Sequence, residues 1–110
     1  MIENIIDFEK AETKRLLNKY DIPVNWLGYK YLVTAVPYAI EKICANEKVM
    51  LSELYKFVAK KHKTTANKVL YAIRYLFENS DIATKMERKK VTNQTLIINL
   101  AMILIEKLNL

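Results

Sequence analysis

Glycine and proline are almost absent from this chain. Its 110 residues include one glycine, Gly28, and two prolines, Pro23 and Pro37. Tight turns depend on these residue types, so a sandwich or barrel with many turns between short strands is excluded. A lone glycine also cannot build a glycine-rich phosphate-binding loop. The composition therefore predicts an all-α fold, and the length fits a single domain over residues 1–110.

Cysteine and histidine each occur once, as Cys44 and His62, which excludes an internal disulfide and a structural metal site. We find no nucleophile paired with a base and no cofactor loop, so we expect neither a cofactor nor an enzyme activity. The N-terminus lacks the pattern of a secretion signal, and the most apolar run, 96–105, is about half the length that crosses a bilayer. We expect a cytoplasmic protein without membrane contact, in which Cys44 is a small buried residue.

Apolar spacing predicts a compact bundle of about six helices. The clearest pattern runs from Ala66 to Phe77, where apolar residues recur at helical spacing, and Thr64 or Thr65 can cap this helix. Pro37 falls inside the second helix, where we expect a kink or a break because proline removes a backbone donor. The other expected helices cover 3–19, 25 or 26 to 44, 51 or 52 to 62, a short stretch of 81–90, and 93–108.

Positive charge is concentrated in two segments. Six cations and no acid lie between Leu54 and Phe77, and four cations with one acid lie in 85–90, whereas the remaining eight cations and eleven acids sum to −3. This distribution is the footprint expected for a phosphate backbone, although a charge run alone is as often a solvated lysine face. A short helix, a short turn and an amphipathic helix have the spacing of a helix-turn-helix, which we place at 52–79.

The candidate partner is therefore double-stranded DNA, and two sets of residues are expected to contact it. The second helix of the motif turns a polar side outward, where amide, cationic and tyrosine side chains can contact base edges. These base-reading candidates are Asn67, Lys68, Tyr71, Arg74 and Tyr75. The phosphate candidates are the cations and threonines at the turn and after the fourth helix: Lys60, Lys61, Lys63, Thr64, Thr65, Lys85, Arg88, Lys89 and Lys90.

The last helix is apolar on nearly every side over 96–105. Such a helix is either buried all round or covered by a partner. Because complete burial is demanding in a small domain, we expect a homodimer contact through this helix. The candidate dimer or partner residues are Leu96, Leu100, Ile103 and Leu104.

Several dispersed motifs resemble one family. Residues 28–32 read Gly-Tyr-Lys-Tyr-Leu, which is similar to the family's Gly-Tyr-x-Tyr-Leu. The segment 59–66 is similar to the family's Ala-Lys-Lys-x-x-Thr-Thr-Ala turn. Two shorter segments, 72–74 and 92–93, also match the family. From about residue 22 to 110 the chain resembles the C-terminal DNA-binding effector domain of the stage-zero sporulation transcription factor A of endospore-forming bacteria. The resemblance implies six helices with a helix-turn-helix in the third and fourth, tandem binding at promoters and contact with RNA polymerase. Helical spacing favours core packing over a stacking platform for Trp26 and the tyrosines near it, and the resemblance places them in the second helix, away from the reading surface.

The chain departs from this family at the reading helix. Where the family carries Arg-Val-Glu-Arg, residues 68–71 read Lys-Val-Leu-Tyr. Leu70 and Tyr71 cannot make the bidentate contacts that Glu and Arg make, so we expect a more A/T-tolerant operator or weak specificity. No βα alternation surrounds Asp7 or Asp21, so we expect no receiver domain ahead of the match. The alternative function is a protein-interaction module that dimerises with, or antagonises, a full-length relative.

Overall fold

The structure, a computed structural model, describes residues 2–86 and 92–109, with side chains from residue 5 onward. Within these ranges it contains six α-helices and no strand, which confirms the all-α prediction. The helices are α1 (Ile2–Lys19), α2 (Leu27–Cys44), α3 (Leu51–His62), α4 (Ala66–Glu78), α5 (Ile82–Lys85) and α6 (Asn93–Leu108). None of these described helices combines the length and apolar character needed to span a membrane.

Helix α2 is the centre of the domain. Helices α1, α3, α4 and α6 all pack against it, and Leu32, Val36 and Ile40 are almost completely enclosed. Residues 31–40 of α2 carry no charged side chain, as expected for a segment surrounded in this way, whereas Lys30 and Glu41 beside this segment are exposed. Because burying each large aliphatic side chain contributes about 1.5–3 kcal/mol, α2 supplies much of the stability of the core.

Pro37 does not interrupt α2. The helix continues through Pro37 to Cys44, so the break, one of the two outcomes expected at this proline, does not occur. The missing backbone donor and the ring clash cost about 3 kcal/mol in an exposed helix. Here Pro37 is buried among the packed helices, and this packing offsets the cost. Cys44, expected in the core, is instead exposed at the end of the helix.

Helix α1 buries an unexpected set of side chains. Its apolar residues Ile5 and Phe8 are 53% and 54% exposed, whereas Glu9 and Glu12 are buried. The two carboxylates differ in their surroundings. Glu12 accepts from Arg15 at 3.3 Å and from Lys107 of α6 at 3.4 Å. No ion pair or hydrogen bond to the Glu9 carboxylate is found within the described residues.

One side of helix α6 is part of the core. Leu96, Leu100 and Leu104 have no exposed surface, because α6 packs against α2, α1 and α4 together. These three residues therefore cannot form the dimer or partner contact predicted for them. Ile103, the fourth residue of that prediction, is partly buried beside the core. The other side of α6 is not enclosed, since Met102 is 48% exposed and Ile98, Ile103 and Ile105 are only partly buried.

Gly28 of α2 lies directly against the backbone of α4. A Cβ atom placed on Gly28 would lie 2.6 Å from the carbonyl oxygen of Ala72 and 2.9 Å from Cβ of Leu76. Neither atom is the end of a flexible side chain, so the helices could accept a methyl group only by moving apart. This crossing holds the first turns of α2 against the buried side of α4.

We expect Gly28→Ala to destabilise the domain by about 1–3 kcal/mol, the usual cost of overpacking. Urea denaturation monitored by circular dichroism measures the change. Ala11→Gly at an exposed position of α1 is the matched control, because there the glycine costs about 1 kcal/mol through helix propensity alone. Stabilisation by Gly28→Ala would contradict the close crossing.

Candidate nucleic-acid interface

Three residues, Lys63, Thr64 and Thr65, join α3 to α4. Lys63 adopts the left-handed conformation with φ 53° and ψ 50°, which ends α3. The backbone N–H of Thr64 donates to the carbonyl of Ala59 at 2.9 Å. The hydroxyl of Thr65 accepts from the backbone N–H of Lys68 at 3.2 Å, so Thr65 is the cap of α4. The turn is therefore fixed by its own backbone and side-chain hydrogen bonds.

Helix α4 is divided into a buried side and an exposed side. Val69, Ile73 and Leu76 have no exposed surface. Ala66 and Phe77, which were also expected to point inward, are half-buried. All five base-reading candidates are exposed, together with Glu78: Asn67, Lys68, Tyr71, Arg74 and Tyr75. The structure thus brings the predicted residues onto one face, which we call the α4 outer face.

The charges of the α4 outer face are accessible. Arg74 Nε lies 3.7 Å from Glu78 Oε2, and both side chains are more than half exposed. An exposed ion pair of this kind contributes about 0–1 kcal/mol, so the guanidinium can exchange the carboxylate for a base or a phosphate at little cost. Lys68 is also exposed, at the first turn of the helix. The outer face therefore offers two cationic groups to a ligand.

Tyr75 connects the α4 outer face to the start of α2. Its ring meets the ring of Trp26 edge-on, with centroids 5.4 Å apart. Trp26 is half-buried and packs against the core, as expected, but it borders the outer face instead of lying away from it. Tyr71, at 61% exposure, completes an aromatic strip on the same helix.

The phosphate candidates fall into three groups. Lys60, Lys61 and Lys63 are exposed at the end of α3 and in the turn, beside Thr64 and Thr65. Lys85 lies in α5 and forms an ion pair with Asp21 and a 3.4 Å hydrogen bond to the carbonyl of Tyr20. The ammonium group of Lys85 is thus already paired at the turn between α1 and α2. Three further candidates lie outside the described residues: Arg88, Lys89 and Lys90.

His62 faces the interior at the end of α3. Its Nε2 shares a 2.6 Å hydrogen bond with Thr34 Oγ1, and its ring meets that of Tyr31 edge-on. Burial, then the ammonium groups of Lys30 and Lys10, hold the pKa of His62 below its usual value. The imidazole is therefore neutral at pH 7 and adds no charge to the adjacent lysines.

Asn93 ties α6 to both helices of the candidate motif. Its Nδ2 donates to Tyr55 Oη of α3 at 2.9 Å and to the backbone carbonyl of Leu70 in α4 at 3.0 Å. From the sequence Asn93 is recognised only as the start of the last helix. One of its acceptors is a backbone carbonyl, and because every residue has one, the sequence does not indicate this hydrogen bond. The family resemblance at 92–93 is the single sequence feature that marks it.

A helix, a three-residue turn and a second helix with a cationic outer face are typical of all-α DNA-binding domains. Residues 13–104 match the family described as the C terminal domain of the sporulation initiation factor Spo0A. Because this match covers most of the chain, the protein belongs to that family, the DNA-binding effector domains of sporulation regulators. No solved structure matches the chain.

We expect Asn93→Ala to destabilise the domain by about 1–3 kcal/mol, because the substitution leaves the Leu70 carbonyl and the Tyr55 hydroxyl without their donor. Thermal and urea denaturation measure the loss. Asn67→Ala on the α4 outer face is the control, and an exposed substitution of this kind stays within about 0.5 kcal/mol. Equal effects of the two substitutions would contradict the role given to Asn93.

Proposed function

We propose that this protein is a transcriptional regulator that acts in the cytoplasm and reads the major groove of DNA with α4. In this proposal α3 and α4 form a helix-turn-helix, and α4 is its recognition helix. Family membership supports DNA binding. The observation that supports α4 as the recognition helix is the separation of its side chains onto two sides. The apolar residues lie on the side that faces the core, and the amide, cationic and tyrosine side chains all lie on the outer face.

The outer face offers a definite base-reading chemistry. Asn67 can pair with N6 and N7 of adenine, and Lys68 and Arg74 can donate to O6 and N7 of guanine. Tyr71 can contact a thymine methyl group or a phosphate. Leu70 is half-buried against the core and cannot replace the glutamate that the family carries there. We therefore propose an operator that differs from the family's own and is richer in A and T.

Phosphate contacts would hold α4 in the groove. Lys60, Lys61 and Lys63 are exposed at the end of α3 and in the turn that leads to α4. The first backbone N–H groups of α4 add partial positive charge at the same place, and a phosphate is a suitable acceptor for them. Phosphate binding at the turn would thus orient the first half of α4 toward the bases.

Assembly on DNA is a separate proposal. Tandem binding at promoters and contact with RNA polymerase follow from the family resemblance. The burial of Leu96, Leu100 and Leu104 removes the support for a homodimer, or an interaction module, that uses these side chains. Any contact between copies on adjacent sites would have to use a different surface.

Base reading and phosphate binding predict different effects of substitution. On the preferred duplex, Arg74→Ala should weaken binding by about 1–3 kcal/mol, roughly 5- to 150-fold, and relax the preference at one base pair. Lys61→Ala should weaken binding to all sequences alike and reduce the salt slope by about 1. Fluorescence anisotropy on matched and scrambled duplexes separates the two.

The control for these variants is Lys14→Ala, an equal loss of charge on the exposed side of α1. We expect it to leave both the preference and most of the affinity unchanged. If Arg74→Ala and Lys14→Ala behave alike, α4 is not the reading helix.

Selection from random duplex DNA tests the predicted operator. We expect a selected site richer in A and T than the family's own operator, and recovery of the family's operator would contradict this. For about five neutralised phosphates, log K against log salt should fall with a slope of roughly −4.5. A slope near zero would contradict phosphate binding by the turn.

A further inference from the structure

A groove of about 730 Å³ opens between α1, α2 and α3. Its lining is largely apolar and includes Ile5, Pro37, Tyr38 and Phe57. The rings of Tyr38 and Phe57 pack against each other, with centroids 4.7 Å apart. Sites for small organic ligands have volumes of about 300–1,000 Å³ and mostly apolar walls with few polar groups. The groove fits this description in size and in character.

Two carboxylates are the acidic groups of the groove. Glu9, which is 7% exposed, and Glu41, which is solvent-exposed, both line the groove. Burial, and then the charge of Glu41, raise the pKa of Glu9. The neighbouring buried acid Glu12 is neutralised by Arg15 and Lys107, whereas the described residues provide no such partner for Glu9. A buried carboxylate beside a second carboxylate is electrostatically unfavourable until a cation joins them.

The cationic side chains of the groove do not fill this role. Lys61 Nζ lies above the ring of Phe57, 5.5 Å from its centroid. Lys10 also lines the groove, and it lowers the pKa of His62. Among the described residues, neither lysine forms an ion pair with Glu9 or Glu41.

We propose that this groove binds a small amphipathic cation. The head is an organic ammonium group that lies between the carboxylates of Glu9 and Glu41. The apolar body lies against Pro37, Tyr38 and Phe57, where aromatic faces also attract a cation. Charge-assisted hydrogen bonds to the two carboxylates distinguish the ammonium from a neutral or an anionic ligand of the same length. Lys61 lines this groove and is also a proposed phosphate contact, whereas Glu9 and Glu41 lie outside the proposed DNA contacts.

Octylammonium, octanol and octanoate test the proposal, because they share one alkyl chain and differ in the charge of the head group. We expect octylammonium to bind about tenfold more tightly than octanol, as one charge-assisted contact allows, and octanoate to bind most weakly. Titrations followed by NMR give the three dissociation constants. Cys44 lines the groove and is the single cysteine of the chain. Bound octylammonium should therefore slow the alkylation of Cys44 by iodoacetamide.

Glu9→Gln removes the charge and keeps the size of the side chain. In this variant we expect the affinity for octylammonium to fall about tenfold, to that for octanol, while octanol binding is unchanged. Glu53→Gln, at an exposed position of α3 outside the groove lining, is the control and should preserve the preference. Equal binding of the three probes, no binding of octylammonium, or an unchanged preference in Glu9→Gln would each overturn the proposal.

Discussion

Enclosure of α2 by four other helices is the constraint on which the rest of the structure depends. An apolar helix in this position fixes the inward side of each neighbour, because each must present its own apolar residues to α2. For α4 the consequence is direct. Val69, Ile73 and Leu76 are taken into the core, and the close crossing at Gly28 leaves no room for α4 to rotate. The polar residues of α4 have no place other than the outer face.

Three further contacts fix α4 at its ends and middle. The left-handed Lys63 and the Thr65 cap define where the helix begins. Asn93 holds the carbonyl of Leu70 from the side of α6, and Trp26 supports Tyr75 near the end of the helix. Base reading requires side chains held within a fraction of an ångström by a rigid support. The fold provides that support from α2, α3 and α6 together.

The sequence predicted α4 well because its apolar period has no interruption between Ala66 and Phe77, and a threonine at the cap position marks its start. The partner contact predicted for Leu96, Leu100 and Leu104 of α6 was wrong, since an apolar helix has the same sequence pattern whether its neighbours come from its own chain or from a partner. The break, one of the two outcomes expected at Pro37, does not occur because tertiary packing outweighs local propensity there. Burial of Glu9 and Glu12 could not be predicted, because acids are normally exposed and only the arrangement of three helices encloses them.

A titration of isotope-labelled protein with duplex DNA, followed by amide chemical shifts, tests the central claim most directly. The account predicts that the largest changes fall in the turn and along α4, from Lys63 to about Tyr75, with smaller changes at the end of α3. Amides of α1 should keep their positions. Large changes on α1 or α6 with an unperturbed α4 would contradict the account, because the duplex would then lie on a different surface of the domain.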